Sequence, residues 1–205
     1  MTKKGGKLQH FCTAAVVRSP QEDLVITAAH CIYGKVLGTK GHVIFGPEWS
    51  NGKFPKGRWL VMSATVDSKW KQDRNPNDDV AFLVVRNGNQ KVQRVTGAET
   101  LETGTKLPQK VQVIGYPDSA SKPVRCNGSA TQLLHRKYLH QLVFDCGGYT
   151  GGTSGGPFLM HLSKGGAGEV IGVIGGFEEG GVSPSVSYSS QFLSNIASLY
   201  KQVTR

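Results

Sequence analysis

Short apolar runs bounded by turn-forming residues are the feature that most restricts how this chain can fold. Runs such as residues 43–45, 59–62 and 80–85 alternate with glycine, proline and asparagine, and the chain holds 27 glycines among its 205 residues. Short strands joined by tight turns are typical of antiparallel sheets. The pattern therefore predicts an all-β protein, with enough residues for one large domain or two small ones.

The end of the chain follows a different period. From about Ser190 onward, apolar residues recur at intervals of three and four, which is helical spacing. These residues are Phe192, Ile196, Leu199, Tyr200 and Val203. The spacing predicts an amphipathic C-terminal helix within residues 189–205.

Shifts in composition divide the rest of the chain. We expect residues 1–9 to be a flexible, basic lead-in. The polar residues 96–110 follow neither periodicity, so we expect them to link an N-terminal half, residues 10–95, to a C-terminal half, residues 111–188. Both halves show a similar density of predicted strands.

One dipeptide of the chain is typical of a tight turn. Asn127-Gly128 lies between two stretches of predicted strand. Asn-Gly is favoured at the centre of a tight hairpin, where both residues need a positive φ. We therefore expect a hairpin turn at this point.

The chain has four cysteines, Cys12, Cys31, Cys126 and Cys146. Three pairings are possible, and four free thiols are a further alternative. Pairing within each half gives two local bridges, Cys12–Cys31 and Cys126–Cys146, which suits an oxidising compartment. No cysteines have a C-x-x-C spacing and the histidines share no metal-ligand spacing, so we expect neither a metal nor a cofactor.

The formal net charge is +10, and the basic residues are spread from Lys3 to Arg205. A nucleic-acid binder more often clusters its charge and interleaves it with aromatic residues. Here Trp49, Trp59 and Trp70 are scattered, so we expect no nucleic-acid partner and assign the charge to solubility or to adhesion to anionic surfaces. No apolar run reaches the roughly 18 residues of a membrane span, so we expect no membrane insertion.

One loop concentrates glycine around a single hydroxyl group. Residues 151–157 read GGTSGGP and contain Ser154. Glycine adopts backbone angles closed to other residues, so N–H groups in such a loop can converge on one point. A serine held there can attack a carbonyl while the N–H groups of Gly152 and Ser154 stabilise the oxyanion. The alternative is a glycine-rich surface turn with an incidental serine.

A base and an acid that would complete such a site occur earlier in the chain. His30 ends an apolar run and is followed by Cys31, a cysteine placed to brace it. Asp79 directly precedes the apolar run 80–85, where a carboxylate needs a partner to offset its desolvation. Asp79 is closer to this run than Asp78, so we take Asp79 as the acid that orients the histidine. An Asn/Asp-rich turn or a weak cation site fits Asp78 better.

Three motifs now occur in the order histidine, aspartate, serine: residues 27–31 (TAAHC), 79–81 (DVA) and 154–157 (SGGP). Together they resemble the three active-site motifs of the chymotrypsin/trypsin family of serine endopeptidases, in its compact bacterial-type branch. The resemblance covers most of the chain. It implies two antiparallel six-stranded β-barrels with the active site in the cleft between them, followed by a C-terminal α-helix.

The resemblance also implies a mechanism. Ser154 would be the nucleophile, His30 the general base and then the general acid, and Asp79 the group that fixes the imidazole. The N–H groups of Gly152 and Ser154 would form the oxyanion hole. The implied protein is a secreted, extracellular monomer that cleaves polypeptide substrates through an acyl-enzyme. The alternative is a catalytically silent homologue that binds anionic surfaces.

Two features depart from the animal members of the family. Those enzymes often carry an aspartate just before the nucleophile, where it receives the amino group freed by activation cleavage, but this chain has Thr153. The first residues also lack the Ile/Val-Val-Gly-Gly start of the activated enzymes. We therefore expect the site to form without a buried N-terminal ion pair.

The residues expected to bind substrate are Gly148, Gly175, Gly176, Phe177 and Glu178. Gly148 lies six residues before the serine, where trypsins carry the acid that binds Lys or Arg. Residues 174–177 resemble the strand that pairs with the substrate backbone. Glu178 and Glu179 follow that strand. They either reach a basic side chain at P1, the substrate residue before the scissile bond, or are exposed acids of a glycine-rich turn.

Overall fold

The structure is a computed structural model that describes residues 1–4, 7–33, 43–135 and 140–205. The strands in these residues are β1 (Thr2–Lys4), β2 (Lys7–Gln9), β3 (Ala15–Val16), β4 (Leu24–Thr27), β5 (Ile44–Phe45), β6 (Trp59–Val66), β7 (Ala81–Arg86), β8 (Thr100–Leu101), β9 (Gln109–Gly115), β10 (Val124–Gln132), β11 (Gln141–Asp145), β12 (Pro157–Met160), β13 (Glu169–Val173) and β14 (Val186–Ser190). The α-helices are α1 (Ala29–Ile32), α2 (Ser68–Asp73), α3 (Val92–Thr96) and α4 (Ser194–Val203), and 3₁₀ turns occupy Pro76–Asp78 and Phe177–Gly180.

Most strands belong to two curled, mainly antiparallel sheets. Within the described residues, five strands pair in the order β3-β4-β7-β6-β5 and seven in the order β14-β11-β10-β9-β12-β13-β8. The second sheet includes β8, which lies inside the segment expected to be a linker and pairs in parallel with β13. The sheets therefore have five and seven strands where six and six were expected. The predicted all-β class, with two sheets and a C-terminal helix, is confirmed.

The first residues form a small hairpin of their own. Strand β1 pairs with β2 in antiparallel register, with Thr2 opposite Gln9. This pairing satisfies backbone groups that a flexible lead-in would leave to water. Residues 2–4 and 7–9 are therefore paired strands.

The hairpin expected at Asn127-Gly128 is wrong. Both residues lie inside β10, which pairs continuously with β9 from Val124 to Ala130. The glycine has a packing role instead, because a Cβ at Gly128 would lie 2.8 Å from Cε2 of the buried Phe144. A glycine in a sequence can be required for a positive φ or for its lack of a side chain, and the sequence does not distinguish the two. At Gly128 the lack of a side chain is what the packing requires.

The C-terminal helix packs on the core of the first sheet. Ile196 and Leu199 of α4 are buried with Phe192, and Tyr200 and Val203 pack at the edge of the same cluster. This is the apolar face that the helical spacing predicted. The Tyr200 hydroxyl donates a hydrogen bond to the carbonyl of Arg18 at 2.6 Å, which ties the helix to the opposite end of the chain. In the described parts of the chain, no helix is long and apolar enough to cross a bilayer.

Candidate active site

Two adjacent strands bring His30 and Asp79 together. Strand β4 pairs with β7 with Thr27 opposite Ala81, so the residues just after β4 and just before β7 lie at the same end of the sheet. His30 lies there on the short helix α1, and Asp79 follows the 3₁₀ turn. Nδ1 of His30 is 2.7 Å from Oδ2 of Asp79, and the backbone N–H of His30 donates to Oδ1 at 2.8 Å.

Asp79 is fully buried and accepts a third hydrogen bond. The backbone N–H of Gly176 donates to Oδ2 at 2.8 Å. A Cβ at Gly175 would lie 2.8 Å from the same oxygen, so glycine lets this backbone approach the carboxylate. Three donors offset the cost of removing the carboxylate from water, and they fix its orientation toward His30.

The turn that carries Asp79 is held by side chains from the C-terminal half. Three hydrogen bonds of 2.7 Å do this: Nε2 of Gln141 donates to Oδ1 of Asn77, Oγ of Ser190 to the carbonyl of Pro76, and Nδ2 of Asn195 to Oδ1 of Asp78. Burial raises the pKa of Asp78, and the hydrogen bond from Asn195 acts in the opposite direction. Asp78 thus belongs to the support of the turn, and Asp79 is the acid that meets the histidine.

The glycine-rich loop is packed against the end of β4, close to His30 in the chain. Gly152 and Gly155 have φ values of +91° and +82°, a region that favours glycine. A Cβ at Gly155 would overlap Oγ1 of Thr27, three residues before His30. The N–H of Gly155 donates to the carbonyl of Ile174 at 2.7 Å. The loop conformation therefore depends on glycine, as the sequence predicted.

Thr13 fixes the same loop from the other side, and sequence reasoning missed it. Its hydroxyl donates to the carbonyl of Gly152 at 2.9 Å and accepts from the N–H of Tyr116 at 2.8 Å. Its own N–H donates to the carbonyl of Ser154 at 2.7 Å. Thr13 is 4% exposed. A lone threonine more than a hundred residues before the loop gives no sequence signal of this role.

The structure does not join the serine hydroxyl to the histidine by a hydrogen bond. Within the described residues, Oγ of Ser154 makes no hydrogen bond, and Nε2 of His30 lies 3.8 Å from Sγ of Cys31. Hydrogen bonds of catalytic groups are often long or poorly aligned before substrate binds and tighten in the complex. The structure thus shows the histidine–aspartate half of the arrangement assembled, with the serine loop packed against the end of β4.

Both disulfides expected within the halves of the chain are present, Cys12–Cys31 and Cys126–Cys146. The first one is next to His30 in the chain, so it anchors the backbone that carries the imidazole. In the described residues, one group of potential metal ligands comes together, Cys12, His30 and Cys31. Its sulfurs are joined in the disulfide and offer no thiolate, so this group does not fit a metal ion.

A cleft of about 300 Å³ opens beside Ser154. Residues that line it include Tyr149, Thr153, Ile174, Glu179, Ser183 and Ser187. The residues expected to bind substrate, Gly148, Gly175, Gly176, Phe177 and Glu178, do not line this cleft, whereas Tyr149, Ile174 and Glu179 next to them do. Burial raises the pKa of Tyr149 to about 12, and its hydroxyl donates to the carbonyl of Val113 at 2.8 Å.

The segment expected to pair with a substrate backbone leaves the extended conformation early. β13 ends before residues 174–177, and a 3₁₀ turn begins at Phe177. The N–H of Gly176 donates to Asp79, and the N–H of Phe177 donates to Oε1 of Gln141 at 2.8 Å. Neither donor is available to a substrate, because both are used to support the buried aspartate and its neighbours.

The N-terminal amino group is hydrogen-bonded to strand β5 of the first sheet and not to Thr153. The amino group of Met1 donates a hydrogen bond to the carbonyl of Ile44 at 2.9 Å, and burial lowers the pKa of this group to about 5. Thr153 is buried and its hydroxyl donates to the carbonyl of Thr150 at 2.7 Å. No ion pair is therefore formed beside Thr153 in the described residues, and a local hydrogen bond holds that position.

This geometry agrees with the similarities to known proteins. The profile of the family described as Trypsin matches residues 1–194. Among solved structures, the chain is similar to the protease Anisep from Arthrobacter nicotinovorans, with 25% identity, a TM-score of 0.84 and coverage of 99% of this chain and 92% of that one. It is also similar to the thermostable serine protease AL20 from an extremophilic microorganism, with 25% identity, a TM-score of 0.81 and coverage of 95% and 90%.

A Glu endopeptidase shares the fold at 15% identity, with a TM-score of 0.74 and coverage of 96% of this chain and 88% of that one. No curated protein matches the chain in sequence. The family profile extends over nearly the whole chain, and the fold is that of bacterial proteases. The chain therefore belongs to the trypsin family of serine endopeptidases.

Proposed function

We propose that this protein is a secreted endopeptidase that cleaves polypeptides through Ser154, His30 and Asp79. The observation that carries the proposal is the 2.7 Å hydrogen bond between Nδ1 of His30 and the buried carboxylate of Asp79. A neutral imidazole that donates from Nδ1 has Nε2 left as its proton acceptor. His30 is thus prepared as a general base on the side opposite Asp79.

The reaction follows from these roles. Oγ of Ser154 attacks the carbonyl carbon of the scissile bond while its proton passes to Nε2 of His30. The C–N bond then breaks, His30 returns the proton to the leaving amine, and an acyl-enzyme remains on Ser154. Water hydrolyses that ester with His30 again as the base. Asp79 stabilises the imidazolium formed in each half of the reaction.

The N–H groups of Gly152 and Ser154 are the proposed oxyanion donors. The N–H of Gly152 shares a peptide plane with the carbonyl of Gly151, which accepts from the N–H of Asp118 at 2.7 Å. The N–H of Ser154 shares a plane with the carbonyl of Thr153, which accepts from the N–H of Gly156 at 2.9 Å. Donors fixed before the reaction stabilise the developing negative charge without reorganisation, and each contributes about 3–4 kcal/mol in comparable sites.

Secretion and a monomeric state are parts of the same proposal. Two disulfides and the absence of free cysteines in the described residues support an oxidising compartment. The polypeptide substrate is the partner that this chemistry requires. Size-exclusion chromatography coupled to light scattering measures the oligomeric state, and we expect a mass near 22.1 kDa.

A serine-directed fluorophosphonate tests the proposed chemistry. We expect one covalent label per chain, mapped to Ser154 by peptide mass spectrometry, and loss of both labelling and casein hydrolysis in Ser154→Ala. His30→Ala should slow labelling strongly because the base is gone. Ser163→Ala, on an exposed turn, is the matched control and should label like the parent.

A folded protein that takes no label and hydrolyses no peptide would contradict the proposal. Binding of that protein to heparin-coated resin would then favour the silent homologue, which the net charge of +10 supports.

A further inference from the structure

The cleft beside Ser154 contains a buried hydroxyl group with no partner. Ser187 is 0% exposed and lines the cleft, and its Oγ has no hydrogen-bond partner in the described residues. A buried polar group without a partner costs about 1–3 kcal/mol. Such a group in a substrate cleft is explained if the substrate itself supplies the missing hydrogen bond.

Other polar side chains of the cleft are already used within the protein. The hydroxyl of Tyr149 donates to a backbone carbonyl at 2.8 Å, and that of Thr153 does so at 2.7 Å. Oγ of Ser183 lies 2.8 Å from Oγ of Ser185. Among the hydroxyls that line the cleft, that of Ser187 is the one that is fully buried without a partner in the described residues.

The cleft also contains a carboxylate that lacks a cationic partner. Glu179 lines it, and none of the ion pairs among the described residues includes Glu179. Glu178 and Glu179 both have left-handed backbone angles, with φ of 51° and 52°. Non-glycine residues adopt this region at an energetic cost, and such residues cluster at ligand-binding sites. Glu179 is an exposed residue of this turn that lines the cleft.

We propose that Glu179 and Ser187 select a basic P1 side chain, with arginine preferred over lysine; this inference rests on the proposed function. The Glu179 carboxylate pairs with the cationic group, and Oγ of Ser187 accepts one of its N–H donors. Arginine has five donors in a planar fork, so it reaches two acceptors at once, whereas lysine is a compact point charge. A purely apolar side chain supplies no such hydrogen bond and therefore gains nothing from Oγ of Ser187.

The test compares peptidyl 4-nitroanilides that differ at P1 alone: arginine, lysine, citrulline, phenylalanine and leucine. Citrulline has nearly the shape of arginine without its charge, so the ratio of their kcat/KM values measures recognition of charge. We expect this ratio to be at least about tenfold, the lower end for a hydrogen bond between charged groups at a partly exposed site. The kcat/KM value for the arginine substrate should also exceed those for the phenylalanine and leucine substrates.

Substitutions in the cleft then assign the effect to residues. Glu179→Gln should lower kcat/KM for arginine about tenfold and leave citrulline and phenylalanine unchanged. Ser187→Ala should lower kcat/KM for the arginine and citrulline substrates together, because both lose the same acceptor. It should leave kcat/KM for the phenylalanine substrate unchanged. The Glu178→Gln variant distinguishes the two glutamates. Glu178 is among the residues that the sequence predicted to bind substrate, whereas Glu179 lines the cleft.

The outcomes separate this inference from the proposed function. Cleavage after phenylalanine or leucine in preference to arginine, unchanged by Glu179→Gln, would overturn basic selection and leave the endopeptidase intact. An arginine preference that Glu178→Gln abolishes and Glu179→Gln does not would overturn the assignment to Glu179. Absence of cleavage together with absence of fluorophosphonate labelling would overturn both proposals.

Discussion

The hydroxyl of Thr13 donates a hydrogen bond to the carbonyl of Gly152 at 2.9 Å, across 139 positions of sequence. The same residue uses its backbone N–H to hold the carbonyl of Ser154. One buried threonine therefore holds the peptide planes that directly follow the two residues whose N–H groups are the proposed oxyanion donors. Its position in the first half of the chain makes the serine loop depend on the packing of the two halves.

Thr13→Val tests this dependence. Valine has nearly the same shape but no hydroxyl, so the Gly152 carbonyl and the Tyr116 N–H both lose a buried partner. We expect the free energy of unfolding to fall by about 1–3 kcal/mol and kcat to fall more than KM rises. Chemical denaturation and steady-state kinetics measure the two effects. Thr13→Ser keeps the hydroxyl and should restore kcat; a serine variant as impaired as the valine variant would refute the positioning role.

Asp79→Asn should remove most activity without unfolding the protein. The amide has one acceptor oxygen where three donors converge, and it favours the wrong imidazole tautomer. We expect kcat to fall by about 10⁴-fold, the loss typical of this exchange in serine–histidine–aspartate sites. Asp78→Asn is the matched control, because Asp78 accepts from Asn195 and not from His30. Equal losses in the two variants would argue against Asp79 as the orienting acid.

The buried carboxyl of Asp78 should make the stability of the protein depend on pH. Burial raises the pKa of this carboxyl above that of the unfolded chain, so the fold favours its neutral form. Its contribution to stability is present at low pH and is lost as the pH rises through the folded pKa. Asp78→Asn should therefore unfold at a higher temperature than the parent at pH 8, and the difference should shrink toward pH 4. Scanning calorimetry across this range measures it, and a difference that does not vary with pH would exclude the linkage.

The two disulfides provide a matched pair of variants. They close loops of similar size, with sequence separations of 19 and 20, so the chain-entropy model assigns each about 3 kcal/mol. Replacing both cysteines of either pair by alanine should lower the free energy of unfolding by similar amounts. At a temperature where both variants are folded, loss of Cys12–Cys31 should lower kcat more, because Cys31 follows His30. Equal kcat values would show that this bridge contributes stability alone.

Local patterns in the sequence were sufficient for the all-β class, the buried strand β7 and the C-terminal helix, whereas β1, β2 and β8 lie in segments expected to be a lead-in and a linker. Helical spacing from Phe192 to Val203 reports burial of one face, and burial of that face is what forms α4. Strand β7 is predicted in the same way from its unbroken apolar run. Glycine at position 128 was misread, because its sequence context cannot show whether a glycine supplies a turn or makes room for a neighbour such as Phe144.

The amino-acid sequence by itself determined the family, the all-β class and the identity of the histidine, aspartate and serine proposed for catalysis, and it favoured the local disulfide pairing that the structure then showed. The tertiary structure decided which groups surround them: Thr13 under the loop, the Gly176 N–H on Asp79, and Glu179 rather than Glu178 in the cleft. The reason is physical. Periodicity and motifs record interactions between near neighbours, whereas a hydrogen bond or a cleft joins residues that meet only when the two sheets have packed.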